Sequence, residues 1–253
     1  MKKKCNILLT IIICIFSYYY TNMVFNLIKS RDNIMIKIKQ NAKKLNQQSV
    51  DANIQNDTII PGLKGKYVDT NKSYIKMKKV NKYSESLIIY KEIKPRISIN
   101  GQYDKLIISG NKLKKNIAIL LKINDISLLK YLDNNINLIL EVDFINNNLK
   151  YLKTLNNNII VMEQKQLTDL NLIDYCYATN NFYKYCNSYK KYTIKPLFIT
   201  YNYDYNTFKN ISNGSILAYN ITNYKNIQEI KLIISKISKL KYKIISIDEL
   251  IKE

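Results

Sequence analysis

The side chains with which this chain could do chemistry are four cysteines, 19 aspartates and glutamates and 22 tyrosines; there is no histidine. The missing histidine excludes most. It removes Ser-His-Asp and Cys-His nucleophile activation and any zinc site with histidine ligands. It also removes the one side chain whose ordinary pKa lies near neutrality. Cys176 and Cys186 lie in the stretch CYATNNFYKYC, and two cysteines are too few to close a zinc site. They read either as reduced thiols of an intracellular protein or, if this part of the chain lies outside a membrane, as a disulfide. Across so short a loop a disulfide would contribute about 2–3 kcal/mol. Tyr175, Tyr177, Tyr183, Tyr185, Tyr189 and Tyr192 cluster around this loop. Aromatic faces stack on sugars, so they form a glycan platform or, equally well, fill a core.

The formal charge of +21 comes from 40 lysines and arginines, of which only Arg31 and Arg96 are arginine. Asparagine, isoleucine, lysine and tyrosine dominate, as in AT-rich genomes, and that bias accounts for part of the charge. The charge still attracts polyanions, whether nucleic acid, anionic lipid or anionic wall polymer. The lysines are spread along the chain rather than clustered, so no nucleic-acid groove is read and no nucleic-acid partner is expected. With 47% apolar and 23% charged residues over 253 positions, the chain has the composition of a folded protein. Its length allows one substantial domain plus appendages.

Those residues must be positioned by the elements around them. Lys2, Lys3 and Lys4 precede an uncharged run from Cys5 to Ile28, with an apolar heart ILLTIIICIF at Ile7–Phe16 and three tyrosines, Tyr18–Tyr20, beyond it. That run reaches the roughly 20 residues needed to span a bilayer. A cleaved signal peptide would show small residues at a cleavage site, but SYYYTNMVF follows. Residues 1–28 therefore read as an uncleaved single-pass anchor in a cell membrane, with Cys5 and Cys14 as buried small residues. The leading lysines favour an inside N-terminus and an outside C-terminal domain, although Lys29, Arg31, Lys37 and Lys39 weaken the asymmetry. Residues 29–60 read as a juxtamembrane helix over Asp32–Leu45 and a polar linker over Asn46–Asp57. Residues 61–110 read as a pre-domain segment with a helix around Tyr74 and Met77 capped by Asn71, and an extended Leu87–Tyr90.

From residue 111 onward apolar runs of strand length alternate with helical spacing. Strands are expected at Asn116–Ile123, Asn137–Val142, Asn158–Met162, Leu172–Ala178, Thr193–Thr200, Ser215–Tyr219 and Lys243–Ile247. Helices are expected at Ser127–Tyr131, Ile145–Leu155 and Ile227–Leu240, and a closing turn at Asp248–Ile251. Strands buried on both faces and alternating with helices predict an α/β fold with a mostly parallel sheet.

Several segments resemble the polysaccharide deacetylases with a NodB-homology domain, in particular membrane-anchored members from low-GC bacteria. Ile59–Pro95 is similar to the stretch preceding that domain, and Ile117–Ile123 resembles the first barrel strand. Tyr192–Pro196 and the pair Cys176 and Cys186 also resemble that subgroup. Gly214–Ile251 resembles the closing strands, where a Gly-Ser-Ile start leads to a Leu-x-His motif. The resemblance covers Ile59–Glu253 and implies an irregular or truncated (β/α) barrel over residues 111–253 behind the transmembrane helix. Active members carry a Thr-Phe-Asp-Asp-Gly motif that supplies a base and a metal ligand. Their His-x-x-x-His pair completes the metal site, and a later histidine is the acid. Together these activate water and protonate the leaving amine. Here Lys122-Ile123-Asn124-Asp125-Ile126 stands at the first motif, Asn156–Gln164 at the second and Asn220 near the third. An asparagine cannot accept a proton as the base does, and the histidines are missing.

The resemblance thus implies a degenerate site at Asn124, Asp125 and Asn220 with no catalytic residue, no cofactor and Asp125 as the only metal-ligand remnant. One carboxylate cannot hold a catalytic zinc. Asp143 and Glu163 near strand ends could join it around a hard cation, or Asp125 caps a helix start while the other two are solvated. The expected role is a membrane-anchored pseudoenzyme that binds or organises an envelope glycan or anionic wall polymer. The rivals are an active deacetylase or other hydrolase built on Asp125, Asp143 and Glu163, and a structural membrane protein that binds another protein.

Overall fold

The computed structural model describes residues 2–132, 136–155, 157–162, 170–179, 186–196, 198–200 and 211–253, without the side chains of 2–10, 170 and 198–200. In chain order the first elements are α1 (Lys2–Arg31), α2 (Asn33–Leu45), β1 (Asn53–Gln55), β2 (Thr58–Ile60), β3 (Gly65–Val68), α3 (Thr70–Lys79), β4 (Tyr90–Ile93) and β5 (Leu106–Ile107). Then come β6 (Asn116–Ile123), β7 (Asn137–Leu140), α4 (Val142–Asn147), α5 (Leu149–Leu152), β8 (Ile159–Val161), β9 (Tyr175–Tyr177), β10 (Tyr192–Ile194) and β11 (Phe198–Thr200). The chain closes with β12 (Ile216–Ile221), α6 (Tyr224–Lys239), β13 (Lys243–Ile244) and α7 (Ile247–Ile251). Contacts group these into two units, Met1–Gln48 with Gly65–Ile93 and Ser49–Lys64 with Lys94–Glu253.

In the first unit, Ile11–Arg31 of α1 is long and apolar enough to cross a membrane, and Ile11–Ile28 are exposed throughout. Asp32 ends it and caps α2, its carboxylate accepting the Ile34 N–H. The same carboxylate accepts the Tyr74 hydroxyl at 3.0 Å and the Lys78 ammonium at 2.6 Å. Those contacts, Lys78 foremost, hold Asp32 below the usual carboxylate pKa. Ile34, Ile38 and Ala42 repeat at a four-residue spacing and form the buried face of α2, packed with Val68 and Met77. The cap of α3 is Asp69, which accepts the Lys72 N–H, rather than the expected Asn71, which accepts Lys29 instead.

The polar stretch 46–57 is not the free linker its composition suggested. Asn46 accepts the Val68 N–H, Gln47 pairs with Lys66, Val50 pairs with Leu63, and β1 runs antiparallel to β2. Its side chains are polar because the backbone, not an apolar face, makes the contacts. The contact boundaries accordingly fall within segments 29–60 and 61–110 rather than between them.

The second unit is built on one sheet of order β1-β2-β5-β10-β9-β8-β7-β6-β12-β11, with β13 also pairing β6. Every pairing except β1–β2 is parallel. Strands β6 to β10 are neighbours in chain order, and β12 returns to the free side of β6. Among the described residues β1 and β11 remain edges, so the sheet is a curled half-barrel. Side-chain alternation divides β6. Ile117, Ile119, Leu121 and Ile123 pack with Ile227, Ile230, Ile233 and Ile237 of α6. Ala118 and Leu120 pack with Ile139, Ile160, Ile216 and the α7 residues Ile247, Leu250 and Ile251. Both faces are buried, hence the unbroken apolar runs in the sequence.

Several expected elements differ in extent. Thr193–Thr200 is two strands, β10 and β11, at separate places in the sheet, because Pro196 between them has no N–H to continue a ladder. Ile145–Leu155 is interrupted at Asn148, between α4 and α5. Val142 leaves its expected strand to begin α4, and Leu172 lies in a 3-10 turn before β9. Ile247 leaves the last strand for α7, where Ser246 caps the helix. Gly214 before β12 has φ +82° and its carbonyl accepts the Gly110 N–H at 2.8 Å, an approach a Cβ would block.

Candidate functional site

The C-terminal ends of the parallel strands carry the positions that correspond to the deacetylase motifs. On the inner face Lys122 continues the row of Ala118 and Leu120, and register sets Asn220 of β12 beside it. The Lys122 ammonium meets Glu141, just beyond β7, at 2.8 Å. Met162 follows β8, and its carbonyl accepts the Thr179 hydroxyl from beyond β9 at 2.8 Å. A cation–carboxylate pair thus joins the C-terminal ends of the neighbouring strands β6 and β7. With the two side chains 32% and 44% exposed, it is worth at most about 1 kcal/mol. Sequence reasoning missed it, yet a signal was present: Lys122 is the one charged residue in the run NIAILLKI.

Asn124 is exposed just past β6. Asp125 is a cap: its carboxylate accepts the Ser127 N–H and the Ser127 hydroxyl, both at 2.8 Å, and opens the 3-10 turn Ile126–Tyr131. The backbone bond, then the hydroxyl bond, hold its pKa below the usual range. Asn220 is half-buried, and Asp143 lies exposed in the first turn of α4. Glu163 and part of Asn156–Gln164 lie outside the described residues.

A divalent metal does not fit the described side chains. The Asp125 oxygens are engaged by Ser127, the Glu141 carboxylate is paired with Lys122, and among the described residues no three Cys, Asp or Glu come together. A catalytic zinc needs about three protein ligands.

The tyrosine cluster separates. Tyr177 lies on the inner face, and Tyr189 is exposed. Tyr183 and Tyr185 are outside the described residues. Tyr175 and Tyr192 begin β9 and β10 and line a cavity of about 390 Å³ at the N-terminal ends of the strands, away from Asn124 and Asp125. The structure joins Cys176 to Cys186 in a disulfide with Cα atoms 6.3 Å apart, within the outer core layer.

Compared with solved structures, the chain superposes on wild-type BA3943, a CE4 family pseudoenzyme from Bacillus anthracis, with a TM-score of 0.63 at 19% identity. The match covers 88% of this chain and 96% of that one. The fold is NodB-like. A BA3943 mutant matches equally, covering 99% of its own length. Another, described as having restored enzymatic activity, matches with a TM-score of 0.62 at 20% identity, over 88% of this chain and 99% of that one. No protein-family model and no curated protein matches the sequence. At this identity the likeness establishes the architecture, including the irregular sheet that the sequence resemblance implied.

Proposed function

We propose that the chain is a membrane-anchored, catalytically degenerate member of the polysaccharide deacetylase family that binds a cell-envelope glycan without deacetylating it. The observation that carries the reading is the C-terminal mouth of the NodB-like half-barrel. Asn124 stands at the base position, Asp125 is tied to Ser127, Asn220 stands near the acid position, and Lys122 pairs with Glu141. The base, the histidine acid and the histidine metal ligands of the active deacetylases have no counterpart among these residues. The likeness to a structure described as a pseudoenzyme supports the same direction. α1 supports anchoring by length and exposure, and an overall charge of +21 suits an anionic wall polymer.

The test uses the full chain in detergent micelles. Acetate release from an acetylated aminosugar polymer is expected to stay at background, and retention on wall polysaccharide at low salt is expected. Acetate release together with stoichiometric tightly bound metal overturns the pseudoenzyme reading. Failure to bind any glycan at low salt overturns the binding role, and crosslinking to a protein partner in its place favours the structural rival.

A further inference from the structure

The cavity at the N-terminal ends of β9 and β10 has no part in the degenerate site, and its lining is chemically mixed in an informative way. At about 390 Å³ it falls in the roughly 300–1,000 Å³ range of small-ligand sites. Its walls include two phenol rings. Tyr175 is buried and donates its hydroxyl to Asp248 of α7. Tyr192 packs on Tyr103 with ring centroids 4.8 Å apart. Burial first, and Tyr103 next, push the Tyr192 phenol up to about 12, so it stays neutral in neutral solution.

The acceptors are fixed in place. One oxygen of Glu253 accepts the Gly62 N–H at 2.9 Å and the Ile99 N–H at 3.0 Å, and the other accepts the Ser98 hydroxyl. These carboxylates are tied to the protein and keep further lone pairs for hydroxyl donors. Of the three lysines that line the cavity, two are not tied. Lys94 and Lys252 line the cavity, both exposed. Among the described residues neither ammonium has a hydrogen-bond or ion-pair partner. Lys114, which donates to the Lys252 carbonyl at 3.2 Å, adds a further positive charge beside Lys252 and is lowered in pKa by burial and then by that charge. Aromatic surface, fixed hydroxyl acceptors and unpaired cations around one cavity match a sugar ring that carries an anionic group.

We propose that this cavity, at the end of the barrel away from the lost catalytic residues, binds an acidic saccharide, with Lys94 and Lys252 taking its anionic group. The site rests on the glycan-binding reading and gives it a location and a ligand class. Binding would proceed without bond making or breaking.

The full chain in detergent micelles is titrated at low salt with N-acetylmuramic acid, N-acetylglucosamine and glycerol 3-phosphate, alongside the double variant Lys94→Ala/Lys252→Ala. N-acetylmuramic acid is expected to bind at least tenfold tighter than N-acetylglucosamine, and the double variant to lose about tenfold for the acid sugar alone. Both lysines are exposed, so the thermal midpoint should not move. Equal binding of the acid sugar by the variant overturns the site. Glycerol phosphate binding as tightly as the sugar acid overturns saccharide recognition. Retention on wall polysaccharide with no response to the small acids sinks this site and leaves glycan binding standing, whereas loss of all glycan retention sinks both.

Discussion

Lys122 and Asn124 alter the same strand end in different ways. Asn124 removes a proton acceptor, which a single substitution could return. Lys122 engages the Glu141 carboxylate at 2.8 Å, so returning an Asp at 124 alone leaves too few free ligands for a divalent cation. Asn124→Asp is therefore expected to leave bound metal and acetate release at background. Metal analysis of the purified chain checks this, and stoichiometric zinc in the variant would refute it. Asp174 behaves differently. It lies just before β9, exposed at its outer edge, and accepts the Ile159 N–H at 2.9 Å. Burial raises its pKa, the Asp248 charge adds to the rise, and the Ile159 bond and Lys191 oppose it. Because the folded-state pKa lies above that of the unfolded chain, its contribution favours the fold below the unfolded pKa. That contribution is lost as pH rises through the folded value. Asp174→Asn keeps an acceptor for Ile159 and removes the charge. The variant should melt higher than the parent at pH 7, with the gap closing as pH falls toward about 4. A lower melting temperature at pH 7 would count against this account.

At the scale of elements, the apolar runs were legible because parallel strands buried on both faces need no alternation, and β6 occupies the residues its composition marked. α6 was legible from isoleucines recurring every three or four residues. The short strands β1, β2 and β5 were not legible, since two or three residues held by backbone pairing leave no side-chain period. Nor was the role of Asn137 visible. It is buried in β7, donates to the Ile119 carbonyl at 2.9 Å, and accepts the Ile247 N–H at 2.9 Å and the Asn158 amide at 3.2 Å. One side chain thereby joins β6, the segment before β8 and the start of α7, contacts far apart in sequence. Replacing it with alanine strands a buried donor and a buried acceptor, at about 1–3 kcal/mol each. Asn137→Ala should thus lower the urea midpoint well beyond the effect of an exposed control such as Asn147→Ala. Equal midpoints would show that the network carries little. The candidate site was legible only as losses, because a motif comparison registers which residues are missing and not which new pair, Lys122 with Glu141, occupies the strand ends.

For the whole molecule, the disulfide and the apolar helix bear on one question, the side of the membrane on which the second unit lies. A disulfide between Cys176 and Cys186 persists in oxidising surroundings and is reduced in cytosol. The flanking charges of α1 alone decide little, since lysines lie on both sides of the apolar run. The oxidation state of the pair in the cell therefore discriminates where the flanks do not. If the second unit is outside, protease added to intact spheroplasts should degrade it. Alkylation without reductant should then leave Cys176 and Cys186 unmodified by mass, and reduction should expose both. Reduction should also lower stability by about 2–3 kcal/mol through the freed loop. Protection from protease together with full alkylation in the absence of reductant would place the unit inside. Envelope glycan would then be out of its reach, so this measurement bears on the proposed ligand as well as on topology.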